Sequence, residues 1–168
     1  MEQVGPPLAH HLNAVIGWIE LGALQEAERE FTLIPRQFRH HPDTSLAEWE
    51  LAAAARDWRR AINAARTAIQ LAPERSDGWI KLAFALHEVR LTQEAHETLT
   101  HIIGNFPTIS IIPYNLACYA AQLGKLEEAL SWINEAVKLG GIKEILKMAR
   151  SDEDLRPLWP QLEKIKFE

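Results

Sequence analysis

Four alanines, Ala27, Ala61, Ala95 and Ala129, recur at an unbroken interval of 34 residues. Each sits where a second helix would begin to pack on the one before it, and a methyl side chain lets two helix backbones approach closely. A fixed period of this length means that one supersecondary unit is stacked repeatedly, because a single unit cannot bury its apolar face alone. The expected product is a solenoid of helical pairs. Such an architecture builds an extended concave surface and rarely carries a reaction centre of its own.

The clearest unit runs from Ser76 to Pro107. Trp79, Leu82, Ala83 and Leu86 fall at i, i+3, i+4 and i+7, the stripe of an amphipathic helix, and Ala95, Leu99 and Ile102 form a second stripe facing it. Ser76 or Asp77 is the N-cap candidate for the first helix, and Pro107 closes the second. One period later come Leu116, Ala117 and Ala120, then Ala129, Ile133 and Ala136, with Gly124 in the turn between the helices. Glycine adopts a left-handed C-cap most easily. One period earlier stand Ala61, Ala65, Ala68 and Pro73, and a further step back gives Gly22, Ala27, Phe31 and Ile34.

Taken together over the four units, Trp79, Leu82, Ala83, the turn glycines Gly22 and Gly124, the period-34 alanines, Phe31, Pro73 and Pro107 resemble the 34-residue tetratricopeptide-repeat family. The resemblance implies an all-α fold, a right-handed superhelical solenoid of antiparallel helix pairs. It places four repeats at 8–41, 42–75, 76–109 and 110–143, a capping segment at 144–168, and a single domain over 1–168. The departures carry their own expectations. Glu48 and Trp49 occupy the leucine and small-residue slots of the second unit, which predicts a rotated helix with Leu46, Trp49 and Ala53 inward. His11 replaces the first unit's tryptophan, and Pro35 cuts that unit's second helix short. Arg56 and Arg90 replace the turn glycine, at a cost of about 1 kcal/mol each if the left-handed conformation is kept.

Beyond the fourth unit, Ile142, Ile145, Leu146 and Ala149 make a short apolar stripe. Leu155, Leu158, Trp159, Leu162 and Ile165 make another. An amphipathic end element of this kind closes the apolar face that a last repeat exposes. The segment Ser151–Trp159 resembles the closing element of some bacterial tetratricopeptide arrays, with Ser151 or Asp152 as its cap and three acids suited to a helix N-terminus. Pro157 and Pro160 argue against a continuous helix before residue 160.

The net charge of −5 offers no long-range attraction for phosphate backbones or anionic lipid, so nucleic acid and membranes are not expected partners. The amino-terminal stretch lacks a basic region followed by an apolar core, and no window approaches the ~20 apolar residues of a membrane span. A single cysteine, Cys118, fits a reducing compartment. The expected location is cytoplasmic.

Chemistry has little to work with. The adjacent pairs His10–His11 and His40–His41 point about 100° apart on a helix, and His87–Glu88 is followed at residue 91 by leucine, where a zinc-protease helix needs histidine. No metal or cofactor is expected. A Cys118 enzyme with His87 as base, or a metal-dependent one, is the remote alternative, but no cluster of positive charge is present to lower the thiol's pKa. The chain is read as not an enzyme.

The face of each first helix turned away from the inter-repeat stripes is then the candidate peptide-binding groove. It comprises Glu50 in the second unit, Asp77, Ile80, Lys81, Phe84 and His87 in the third, and Tyr114, Asn115, Cys118 and Gln122 in the fourth. Phe84 and Tyr114 would supply exposed aromatic area, or else pack between adjacent repeats as core; Asn115 and Gln122 would meet a ligand backbone, and Lys81 would meet a carboxylate. Family members that clamp a chaperone's terminal carboxylates carry several basic and amide residues there. Leu12, Ile16, Leu46 and Glu50 stand in those places, which disfavours that ligand. The leading expectation is an adaptor holding a peptide or helical segment of another protein. The alternative is a structural subunit that self-associates, forming a homodimer, through Leu8, Leu12, Trp18 and Ile19 of its amino-terminal repeat.

Overall fold

The computed structural model describes residues 6–164, and every regular element among them is helical. They divide into two compact units, one up to Ala85 and one from Leu86 onward.

The first unit contains α1 (Pro6–Glu20), α2 (Leu24–Leu33), α3 (Pro42–Ala54), α4 (Trp58–Leu71) and most of α5 (Ser76–Glu88). α1 packs on α2, and α3 packs on both α1 and α4. The small residues work as the period requires: Ala27, Ala52, Ala61 and Ala65 are wholly buried, with Leu8, Val15 and Leu51 filling the space they leave. Pro35 does end α2 early, at Leu33, and the chain continues through a short 3₁₀ turn at Arg36–Phe38. Pro42 opens α3, where its missing N–H costs nothing, and His41 caps the helix by accepting from the Asp43 amide at 3.2 Å. Asp57 caps α4 through the Arg60 amide at 3.0 Å. The rotation expected of α3 holds for Trp49, which is buried; Leu46 and Ala53 are only partly so. Leu8, expected on an open amino-terminal face, is instead buried in the core.

The second unit contains α6 (Thr92–Ile102), α7 (Ile111–Gln122), α8 (Leu126–Gly140), α9 (Ile142–Ala149) and α10 (Trp159–Leu162), with 3₁₀ turns at Ile103–Asn105 and Glu153–Leu158. α7 packs on α6 and α8, α9 packs on α8, and the second 3₁₀ segment lies on α7. Leu155, Leu158 and Leu162 are fully buried, so the closing segment is anchored by its leucines. Ile145, Leu146 and Ala149 join them, but Ile142 is exposed, because it stands at the first residue of α9. Ile165 lies outside the described residues. The 3₁₀ segment is interrupted by Pro157, and helix resumes only at Trp159.

The turns repeat as regularly as the helices. Gly22, Arg56, Arg90 and Gly124 have φ of 72, 56, 67 and 77°, so arginine keeps the left-handed conformation that the period assigns to glycine. At each one the N–H bonds the carbonyl three residues back, and the following N–H reaches five back: Asp57 N to Ala52 O at 2.8 Å, Leu91 N to Leu86 O at 2.9 Å. This pair of hydrogen bonds satisfies the last carbonyls of the first helix and aims the chain into the second.

Candidate functional site

The sequence-derived groove residues fall into two settings. In the first unit, Glu50 on α3 and Lys81 on α5 form an ion pair. The Lys81 ammonium lies over the Trp49 ring, 4.0 Å from its centroid, and the Trp49 indole N–H donates to the Lys81 carbonyl at 3.0 Å. Phe84, one turn further along α5, meets Trp49 edge-on at 5.9 Å between centroids and Trp58 at 6.0 Å. Phe84 remains 40% exposed among these rings. Asp77 is exposed and accepts from Arg75 at 2.9 Å, while the same guanidinium holds Asp43 at 2.6 Å. Ile80 is partly buried. This face is therefore an aromatic cluster flanked by satisfied charges, and Lys81 is committed to Glu50 rather than standing free for a ligand carboxylate.

In the second unit the expected open surface is covered by the chain itself. Tyr114 is only 4% exposed, and its hydroxyl donates to Asp152 at 2.8 Å. The Cys118 thiol points at the same carboxylate oxygen at 3.5 Å. Gln122 donates to the Asp154 carbonyl at 2.9 Å. His87 is buried, with Nε2 3.0 Å from Asp154 Oδ2 and Nδ1 3.0 Å from the Thr92 hydroxyl, and its ring lies against Tyr119. Asn115 is partly buried. The expectation that Tyr114 is an exposed aromatic is thus corrected: the leucine-anchored segment at 153–158 presses on α7 and its preceding Asp152 takes the hydroxyl.

Electrostatics follow from this burial. Desolvation pushes the Cys118 thiol well above its ordinary range, and the carboxylates of Asp152 and Asp154 add to it. Burial also raises the Tyr114 and Tyr119 phenols. A thiol held protonated in this way is a poor nucleophile. His87 is turned to Asp154 and Thr92 rather than to Cys118. No group of three or more His, Cys, Asp or Glu among the described residues is placed to hold a metal ion.

Three contributors lie outside the sequence-derived groove. Trp58, at the start of α4, completes the ring cluster around Phe84. Asp152 and Asp154 were read as helix-terminal charges, yet only Asp152 has that role, accepting from the Asp154 amide at 3.0 Å; both also bind side chains of other helices. A recurrence of carboxylates two residues apart ahead of a leucine stripe was the available signal.

No family model matches the chain. A 69-residue stretch, 39% of this chain, is 38% identical to a chloroplastic protein of Arabidopsis thaliana, and spans 20% of that protein's length. Among solved structures, one of MamA aligns with a TM-score of 0.70 at 15% identity, covering 96% of this chain and 90% of the other. MamA from Desulfovibrio magneticus RS-1 gives 0.69 at 17% identity over 95% and 93% of the two chains. TTC0263, a thermophilic TPR protein of Thermus thermophilus, gives 0.63 at 17% identity over 94% and 99%. The chain has the tetratricopeptide-repeat fold. Within the tetratricopeptide frame, the α3 and α5 residues Trp49, Lys81 and Phe84 lie on first helices of successive pairs. No helix among the described residues is long and apolar enough to cross a membrane.

Proposed function

We propose that this chain is a protein-interaction module, without a reaction of its own, that holds an extended or helical segment of a partner protein against the Trp49–Phe84 face of α3 and α5. The observation that carries the reading is Phe84, 40% exposed while braced on both sides by tryptophans. A ring fixed in place yet open to solvent offers contact area at little entropic cost, which is what an interface anchor requires. The tetratricopeptide fold, widely used for protein interaction, agrees with it. On the α7 face, Tyr114 and Cys118 are already occupied by Asp152, so the anchor role falls to Phe84 rather than to Tyr114. A free buried thiol suits a reducing compartment such as the cytoplasm.

The test is selection from a display library of random peptides against the wild type and against Phe84→Ala, with helical circular dichroism checked for both. Enriched peptides that lose binding to the folded variant support the α3–α5 face. Peptides bound equally by both, or no enrichment at all, refute it.

A second reading, self-association, rests on Trp18, Leu21 and Leu33, which are 38, 75 and 63% exposed in the first unit. Sedimentation equilibrium showing a monomer at every accessible concentration would eliminate it.

A further inference from the structure

In the third repeat register, the Trp79 indole N–H donates to the Pro73 carbonyl at 3.0 Å. Shifting by one period of 34 brings Trp79 to Ser45 and Pro73 to Arg39. At the same slot the first unit has His11, which is satisfied by Glu30 at 2.6 Å, and the fourth has Pro113, which is buried. Only the second register therefore combines a small side chain with unfilled space. Ser45 is 4% exposed and lines a cleft of about 290 Å³. No donor among the described residues reaches the Arg39 carbonyl, the counterpart of the acceptor that Trp79 uses.

The cleft is walled by Phe31 and Ile34 from the α2 end and by Thr44, Ser45 and Glu48 from α3, with Arg60 of α4 across it. Arg60 is fixed there: it donates twice to Glu28, at 2.8 and 3.2 Å, and once to Glu48 at 3.0 Å, while lying 5.8 Å from the Phe31 centroid. Arg39 at the rim brings the local cations to two, against the two carboxylates of Glu28 and Glu48. That balance favours neither an anion nor a cation. It suits a neutral ring that carries one N–H donor. A dry apolar cavity of about 150 Å³ already accommodates benzene, so the volume here admits the larger indole.

We infer that the Ser45 cleft is a vacated tryptophan socket that receives a tryptophan side chain presented by a partner protein, its ring against Phe31 and Ile34 and its N–H on the Arg39 carbonyl. This inference concerns α2, α3 and α4 and is independent of the Trp49–Phe84 face. The ring replaces the side chain that the repeat itself supplies at Trp79, which is why tryptophan and not leucine is the expected occupant.

The experiment is an amide-resolved NMR titration of the full chain with N-acetyltryptophanamide, and with N-acetylleucinamide in parallel. Saturable shifts at Ile34, Thr44 and Ser45, with the leucine amide weaker by about tenfold, are expected. Ser45→Trp fills the socket in cis: it should raise the melting midpoint by roughly 2–4 °C and weaken the tryptophan amide by about tenfold or more. Ser45→Ala keeps the space and should keep the binding. If Ser45→Trp does not fold, Ser45→Phe replaces it, with the same loss of binding expected. Absence of saturable shifts in the wild type, equal binding of the two amides, or unchanged binding by the filled variant would overturn the socket.

Discussion

His87 Nε2 and Asp154 Oδ2 lie 3.0 Å apart although 67 residues separate them in sequence. This contact ties the closing segment to the end of α5, and the Thr92 hydroxyl at the other ring nitrogen fixes the imidazole's orientation. His87→Ala leaves a carboxylate oxygen without its partner beside a buried ring. Because Asp154 retains access to water, the expected loss is moderate, about 1–2 kcal/mol in urea unfolding. A change within error would mean that the leucine anchors alone hold the segment.

Cys118 supplies a pH dependence whose sign is fixed by its environment. Burial, then the Asp152 and Asp154 charges, raise its folded-state pKa, so the folded chain keeps a proton that the unfolded chain releases. Its contribution to stability is complete below the ordinary thiol pKa and is lost as pH rises above about 8.5, at up to ~1.4 kcal/mol per pH unit. Tyr114 and Tyr119, raised in the same sense, extend the decline above pH ~10. Unfolding midpoints measured across this range should fall with pH, and Cys118→Ala should flatten the part between about pH 8.5 and 10. A native thiol that reacts with a disulfide reagent as fast as an unfolded one would contradict the burial on which the argument stands.

Arg56 and Arg90 hold φ of 56 and 67° in turns where Gly22 and Gly124 do the same work without steric cost. Replacing either arginine by glycine should stabilise the fold by about 0.5–1 kcal/mol, the relief at Cβ exceeding the entropy that glycine adds to the unfolded chain. Gly124→Ala should cost about 1 kcal/mol, and Arg66→Gly in the exposed middle of α4 should cost about as much. Thermal denaturation of the four variants decides it: the same substitution to glycine must change sign between turn and helix.

The period made these turns legible before any coordinates, because a left-handed residue is forced wherever two helices reverse in a fixed number of residues. The buried alanines were readable for the same reason. What escaped was the fate of the α7 face. Tyr114, Cys118 and Gln122 stand one turn apart and do form one surface, but a helix pattern states which side chains share a face, not what lies on it. The occupant comes from Asp152 and Asp154, at the start of a 3₁₀ stretch interrupted by Pro157, where no α-helical periodicity tells which way a side chain points. The Trp49–Trp58–Phe84 cluster was hidden similarly, since it joins three different helices.

Phe84 and Trp49 touch, yet they should respond differently to truncation. Trp49 is buried, gives its indole N–H to the Lys81 carbonyl and supports the Lys81 ammonium on its ring face. Trp49→Ala opens a cavity and removes those contacts, and is expected to destabilise the chain by about 3–5 kcal/mol. Phe84 already spends much of its surface on water, so Phe84→Ala should cost only about 1–2 kcal/mol of stability. Against a peptide selected on the α3–α5 face, the same variant should lose about 2 kcal/mol or more of binding energy. Unfolding and titration calorimetry on the two variants separate the roles. A Phe84→Ala chain as unstable as Trp49→Ala would place the ring in the core, and its exposure would then say nothing about a partner.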